Sequence, residues 1–375
     1  MHLSVLGGTD VHGRPVEVHV TDGLVSPTAA AGAGVLPANG LLVAPGLLDL
    51  QVNGAGGVDV TATPDRLGEV GRELVRHGVT AWLPTVVTSR AETRLAASAA
   101  LAAAHARPDP GAAAPLGLHL EGPLLAEARK GAHSARWLRT PGTAEEVAPP
   151  GTVLVTLAPE LPGAVPLVAQ LAADGVVVSL GHSEATAEQA LAAVDAGART
   201  VTHLFNAMSG VAGRVPGLAG VALGDPRLVV GVIADGHHLD PHVLRLAWQA
   251  LGPERFWAVS DTTAALGVGD GPNRLGELEV TVADGAVRLA DGTLAGSASS
   301  LADCLGVLRA TTGCSTAEAV GAATTVPARI LGDTSRGHLR PGARGDLALL
   351  DPATLQCVAT VVAGRVVHDA RESRR

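Results

Sequence analysis

Through the middle of the chain, short apolar runs alternate with longer amphipathic stretches. The runs cover residues 44–50, 79–86, 116–121, 152–158, 176–181, 200–204, 228–234 and 257–261. They are short, Val- and Leu-rich, and apolar almost throughout, as strands buried on both faces are. Most are separated by Ala-, Leu- and Glu-rich segments with helical spacing, among them 65–77, 90–106, 184–197 and 241–251. Strands alternating with helices predict βα units and a parallel sheet. Eight such units suit a (β/α)8 barrel. An open doubly wound sheet is the rival, but no glycine-rich dinucleotide turn follows the first strand and no Walker sequence occurs.

The two ends read differently. Residues 1–43 hold short strands and turns, such as Val16 to Val20 before Asp22 and Gly23. Residues 338–368 do the same, with LALLD, CVATVVAG and RVVHD. Neither end can bury a core alone, and together they predict one small β-sandwich beside the barrel. The expected organisation is therefore 1–43 and 338–375 as the two parts of the sandwich and 44–337 as the barrel. Within 274–295, Asp284-Gly285 and Asp291-Gly292 lie between alternating runs, a hairpin signal. Helical segments are expected over about 298–312 and 315–331.

Composition narrows the function classes. At 375 residues and 47% apolar, the chain can build a large core, and with aromatics at 2% that core relies on Leu, Val and Ala. The formal charge is −9 with no basic stretch, so nucleic acid is not an expected partner. An anion would have to be held by a few local cations and backbone N–H groups. Three cysteines (Cys304, Cys314, Cys357) with no C-x-x-C pair argue against a disulfide framework. No secretion signal and no run near the ~20 apolar residues of a membrane helix occurs, so a cytoplasmic, membrane-free protein is expected.

Barrel chemistry sits at the carboxyl ends of the strands. There the sequence places Gln51 and Asn53, then His119-Leu120-Glu121, Gly181-His182-Ser183, Thr202-His203, Asp235-Gly236-His237-His238 and Ser260-Asp261-Thr262, with weaker signals at Thr85 and Glu160. One histidine after a strand is usually only a hydrogen-bonded loop residue. A Glu, two His and an Asp on different strands of one barrel would converge at its mouth. A carboxylate and two imidazoles leave a fourth position open on a divalent ion, as in catalytic zinc sites. An aspartate beside them can take a proton from water and pass it to a leaving amine. His119 reads as a packed residue or one that supports the ligands from behind, rather than as a direct ligand, and Asp235 as one that orients a neighbour or closes a turn.

At these residues the chain resembles the N-acetylglucosamine-6-phosphate deacetylases of the amidohydrolase superfamily. The resemblance is carried, in family order, by PGLLDLQVNGAGG, LGLHLEGPLL, KGAHS, VTLAPE, GHSEAT, THLFNAMSG, GRVPGLAG, IADGHHLD, SDTTAALG, LAGSASSL and HLRPGARGDLALLD. It implies a distorted (β/α)8 barrel with a small β-sandwich. It implies hydrolysis of the acetamide of N-acetylglucosamine 6-phosphate to glucosamine 6-phosphate and acetate by a metal-activated water. The alternatives are a deacylase or cyclic amidase acting on another N-acyl substrate, and a non-catalytic barrel relative.

Residue by residue, the resemblance makes Glu121, His182 and His203 the metal ligands and Asp261 the general base and acid. It makes His133 a contact at the acetamide, and Asn206, Ala207, Arg214 and His238 contacts to the sugar phosphate. It further implies a homodimer in which Arg214 completes the neighbouring site. One divalent ion per subunit is expected, zinc first, with iron, cobalt or manganese also suited to the donors. Many superfamily members end strand one with His-x-His, which holds a second ion. Gln51 and Asn53 stand there instead, and carboxamides are poor ligands and good hydrogen-bond partners. Gln51 is therefore expected to contact water or substrate, and Asn53 to order the 54–57 loop. Phe205 stands where the family often has Tyr, Ser209 where it often has Pro, and His237 is additional. SDTTAALG departs from the commoner TDATAPAG but keeps Asp261.

Overall fold

Eight parallel strands form the centre: β1 (Leu47–Val52), β2 (Val79–Val87), β3 (Leu118–Glu121), β4 (Thr152–Leu157), β5 (Val177–Leu180), β6 (Thr200–Val201), β7 (Val229–Ile233) and β8 (Phe256–Val259). The computed structural model describes residues 2–372. Each strand pairs with the next in sequence order. The ring closes where Val52 bridges Thr262 and the Asn53 N–H donates to the Thr262 carbonyl at 2.8 Å. The barrel is distorted: β6 keeps only two residues in the ladder, and its expected remainder turns into the mouth.

Helices cover the outside, including Ala91–Ala106, Ala164–Ala173, Ala187–Ala196, Gly217–Gly224, Pro241–Arg255 and Leu301–Thr312. Thr186 and Gln189 form a reciprocal cap that starts the third of these directly after the β5 loop. The helices at 164–173 and 217–224 give little periodic signal because they are apolar on nearly every side (AVPLVAQLAA, GLAGVALG). The 315–331 segment is two short helices, Thr316–Gly321 and Thr325–Ile330.

The chain ends form one continuous eight-stranded sheet. Leu42–Pro45 lies in that sheet, antiparallel to Leu347–Leu350, and so sets the C-terminal strands beside the N-terminal ones. The sheet curls so that Val25 exchanges backbone hydrogen bonds with Gly342 and Ala343. Inside the curl, Val5, Val18, Val20, Leu36, Leu347 and Val361 share one core. The sandwich is thus a single sheet folded over itself.

Residues 271–297 form a four-stranded antiparallel sheet, not one hairpin. The expected Asp284-Gly285 turn is there, with both residues at positive φ as a tight hairpin turn requires. Its apolar face, with Leu275, Val280 and Val287, packs on Val87, Ala132 and Ala265. That contact seats the inserted sheet over the carboxyl ends of the barrel strands.

Candidate active site

A cavity of about 310 Å³ opens at the carboxyl ends of the strands. Its floor is polar. Glu121 closes β3, while His182, His203 and Asp261 each lie two residues beyond β5, β6 and β8. These last three residues have φ of 49°, 33° and 50°. Left-handed backbone costs a non-glycine residue about 1–2 kcal/mol, and here it turns each strand end so that the side chain faces the mouth. Such strain concentrates where function over-determines the backbone.

Glu121 Oε1 lies 3.1 Å from His182 Nε2 and 3.0 Å from His203 Nε2, and the two Nε2 atoms are 3.0 Å apart. All three residues are buried. The Arg129 carbonyl, 2.8 Å away, fixes the proton of His182 on Nδ1, so a neutral His182 turns a lone pair to the centre. Three electron-pair donors converging this closely repel unless protons or a cation stand between them. The set therefore fits one divalent cation. Without one, burial would push the Glu121 carboxyl up, but bonds from His182 and His203 and the charges of neighbouring imidazoles hold it well below the usual range.

Asp261 Oδ1 accepts from Gln51 Nε2 at 3.0 Å and from Asn53 Nδ2 at 2.8 Å. Gln51 Nε2 also reaches Glu121 Oε1 at 3.3 Å. The two strand-one amides thus hold the aspartate. The Asn53 side chain does not order the 54–57 loop as expected; its backbone carbonyl ties in residue 60 instead. Burial first, and then the Glu121 charge, push the Asp261 carboxyl up to about 8 in the metal-free chain.

His133 is buried beside this group, its Nε2 3.9 Å from Glu121 Oε2. The Thr88 N–H donates to its Nδ1 at 3.2 Å. A backbone N–H can only donate, so the ring proton sits on Nε2. Burial, and then the His182 charge, lower its pKa to about 3, so His133 is a neutral donor. His238 lines the same cavity, and its Nδ1 donates to Asp235 Oδ2 at 2.7 Å. Asp235 also accepts from the N–H groups of His237 and His238, and so orients His238. Asn206 and Ala207 line the wall. Gln51 lies behind Asp261, outside the lining. His119 is fully buried below the site, and burial lowers its pKa to about 4.

Arg214 is not brought to the cavity. It is exposed on the 210–216 loop, between exposed Val211 and Val215. The sequence reading missed three contributors. Thr88 and the Arg129 carbonyl set imidazole protons, and a carbonyl leaves no trace in sequence. Leu275, Thr293, Leu294 and Gly296 of the inserted sheet form the outer wall. Only the LAGSASSL segment hinted at the last of these.

Residues 42–367 match the amidohydrolase family. The chain is 38% identical over 353 residues to a rat N-acetylglucosamine-6-phosphate deacetylase, covering 89% of this chain and 85% of the relative. It is 37% identical over 342 residues to an N-acetylgalactosamine-6-phosphate deacetylase of Escherichia coli O157:H7, covering 89% and 90%. Among solved structures, a mutant N-acetyl-D-glucosamine-6-phosphate deacetylase of Mycobacterium smegmatis in complex with N-acetyl-D-glucosamine-6-phosphate superposes with a TM-score of 0.86 at 35% identity, covering 98% and 99%.

Proposed function

The chain belongs to the amidohydrolase family, and from that premise we propose that it hydrolyses the acetamide of N-acetylglucosamine 6-phosphate to glucosamine 6-phosphate and acetate. The observation that carries this reading is the convergence of Glu121, His182 and His203 with a supported aspartate and a neutral histidine donor in one cavity. Relatives named for this reaction, matched over nearly the whole chain, support it.

Glu121, His182 and His203 would hold one divalent ion, zinc by its donor set, and that ion supplies a Lewis acid for the acyl oxygen and water of lowered pKa. One ion per site follows from the strand-one amides, whose N–H groups are committed to Asp261. His133 Nε2–H donates to the acetamide oxygen and stabilises the negative charge that gathers there. Asp261 Oδ1 is held by the two amides, which leaves Oδ2 to take a proton from the attacking water. The new C–O bond forms, the C–N bond breaks, and Asp261 returns the proton to the sugar nitrogen. Asn206, the Ala207 N–H and His238 would bind the phosphate, with Arg214 contributed by the second subunit of a homodimer. A guanidinium offers the paired donors that phosphate oxygens accept. A cytoplasmic setting suits the three free cysteines.

Comparing N-acetylglucosamine with and without the 6-phosphate tests the substrate assignment. A large gain in kcat/KM from the phosphate is expected, and no gain would refute it. The galacto epimer belongs in the same assay, since the E. coli relative named for it is as similar as the glucosamine relatives.

A further inference from the structure

Below the proposed metal ligands, the barrel interior holds polar side chains that the mechanism does not use. His119 Nδ1 lies 3.1 Å from the Leu50 carbonyl, and its Nε2 lies 2.8 Å from Thr156 Oγ1. Thr156 Oγ1 is 2.8 Å from Thr202 Oγ1, which is 2.6 Å from Ser179 Oγ. All four side chains are fully buried or nearly so. Their hydrogen bonds have only one consistent direction. The Leu50 carbonyl can only accept, so the His119 proton sits on Nδ1, and Nε2 of the neutral ring accepts from Thr156. The Thr156 oxygen then accepts from Thr202, and Thr202 accepts from Ser179.

This relay crosses β1, β3, β4, β5 and the residues after β6. Every proposed ligand is attached to it through the backbone. Glu121 lies two residues beyond His119 and pairs in register with Thr156. His203 follows Thr202, and His182 lies three residues beyond Ser179. His203 depends on it most. His182 is steadied by the Arg129 carbonyl, whereas His203 Nδ1 has no protein partner among the described residues. The sequence leaves room for the relay: a Cβ on Gly181 would lie 3.0 Å from Thr156 Cγ2 and 3.1 Å from the Thr202 Cβ.

We infer that His119 is a positioning residue for the metal site, acting through the Thr156–Thr202–Ser179 relay to hold the strand ends that carry Glu121 and His203. The inference rests on the proposed ligand set, and direct measurement of zinc binding separates the two. Zinc affinity is measured by competition with a chromophoric chelator for the wild type, His119→Leu, His119→Gln, Thr156→Val and Thr156→Ser. Gln retains one donor and one acceptor, and Ser retains the hydroxyl. Groups that orient ligands typically affect metal affinity about 10–100-fold. A loss on that scale is expected for His119→Leu and Thr156→Val, with most of it restored in His119→Gln and Thr156→Ser. If His119→Leu does not fold, the Thr156 pair carries the test. Folded Leu and Val variants that melt earlier yet bind zinc as the wild type does would reduce the relay to ordinary packing and overturn the inference. A wild type that binds no zinc would instead refute the ligand assignment.

Discussion

At the scale of residues, the site is a set of protons assigned by neighbours. Asp261 is the most perturbed. Its ordinary value is 3.8, and burial, then Glu121, raise it to about 8 in the metal-free chain. A folded value above the unfolded one means that the group's contribution to stability is present below about pH 4 and is lost as pH rises through 8. A cation on Glu121 offsets the charge that raises it and favours the carboxylate. Metal uptake near neutral pH should therefore release protons, about one fewer in Asp261→Asn than in the wild type. Calorimetric titration in buffers of different ionisation enthalpy measures this, and equal release would contradict the coupling. In the loaded enzyme, activity should fall on the acid side as Asp261 protonates. The sequence made the residue types legible, because Glu121, His182, His203 and Asp261 each lie at or just beyond the carboxyl end of an apolar run. It left the tautomers hidden. The proton of His133 is set by the Thr88 N–H, and that of His182 by a carbonyl 53 residues away.

At the scale of elements, the inserted sheet does more than cover the cavity. Its last strand, Leu294–Ser297, holds Asp261 by the backbone: the Ser297 N–H donates to the Asp261 carbonyl at 2.9 Å. Gly296 makes that approach feasible. Its φ is +71°, and a Cβ there would lie 2.8 Å from the Asp261 carbonyl oxygen and 2.7 Å from Thr263 Cγ2. Gly296→Ala should lower kcat about tenfold or more, since ~1.4 kcal/mol of misplacement is enough for that. Zinc content should stay unchanged, because among the described residues this strand bonds to Asp261 and Thr263 and not to Glu121, His182 or His203. Steady-state kinetics with metal analysis checks both, and wild-type kcat would contradict the role given to this strand. Alternating residues and Asp-Gly turns made antiparallel strands legible in 271–297. Their number was not, since three of the four strands are only three to five residues long. Their placement over the mouth depends on contacts with Val87 and Ala132, far away in sequence.

At the scale of the whole molecule, eight apolar runs with helical spacers were enough to read the barrel. The continuous end sheet was not readable, because its joining pair, Leu42–Pro45 with Leu347–Leu350, is separated by some 300 residues. Arg214 is exposed beside Val211 and Val215 and lies outside its own cavity, so the proposed homodimer is tested at this residue. If it completes a neighbouring site, Arg214→Gln should raise KM for the phosphorylated sugar and Asp261→Asn should lose turnover. Assayed at substrate well below the raised KM, dimers mixed from the two variants should then be more active than either parent, because one of their two sites is intact. Mixed dimers no more active than their parents would place Arg214 outside the shared site.

The most direct measurement restores metal to a stripped chain and follows acetate release from N-acetylglucosamine 6-phosphate against zinc added. The proposed one-metal hydrolysis requires metal for any turnover and a linear rise that ends at about one equivalent per chain. Turnover by the stripped chain, a plateau only at two equivalents, or a loaded chain that releases no acetate would contradict it.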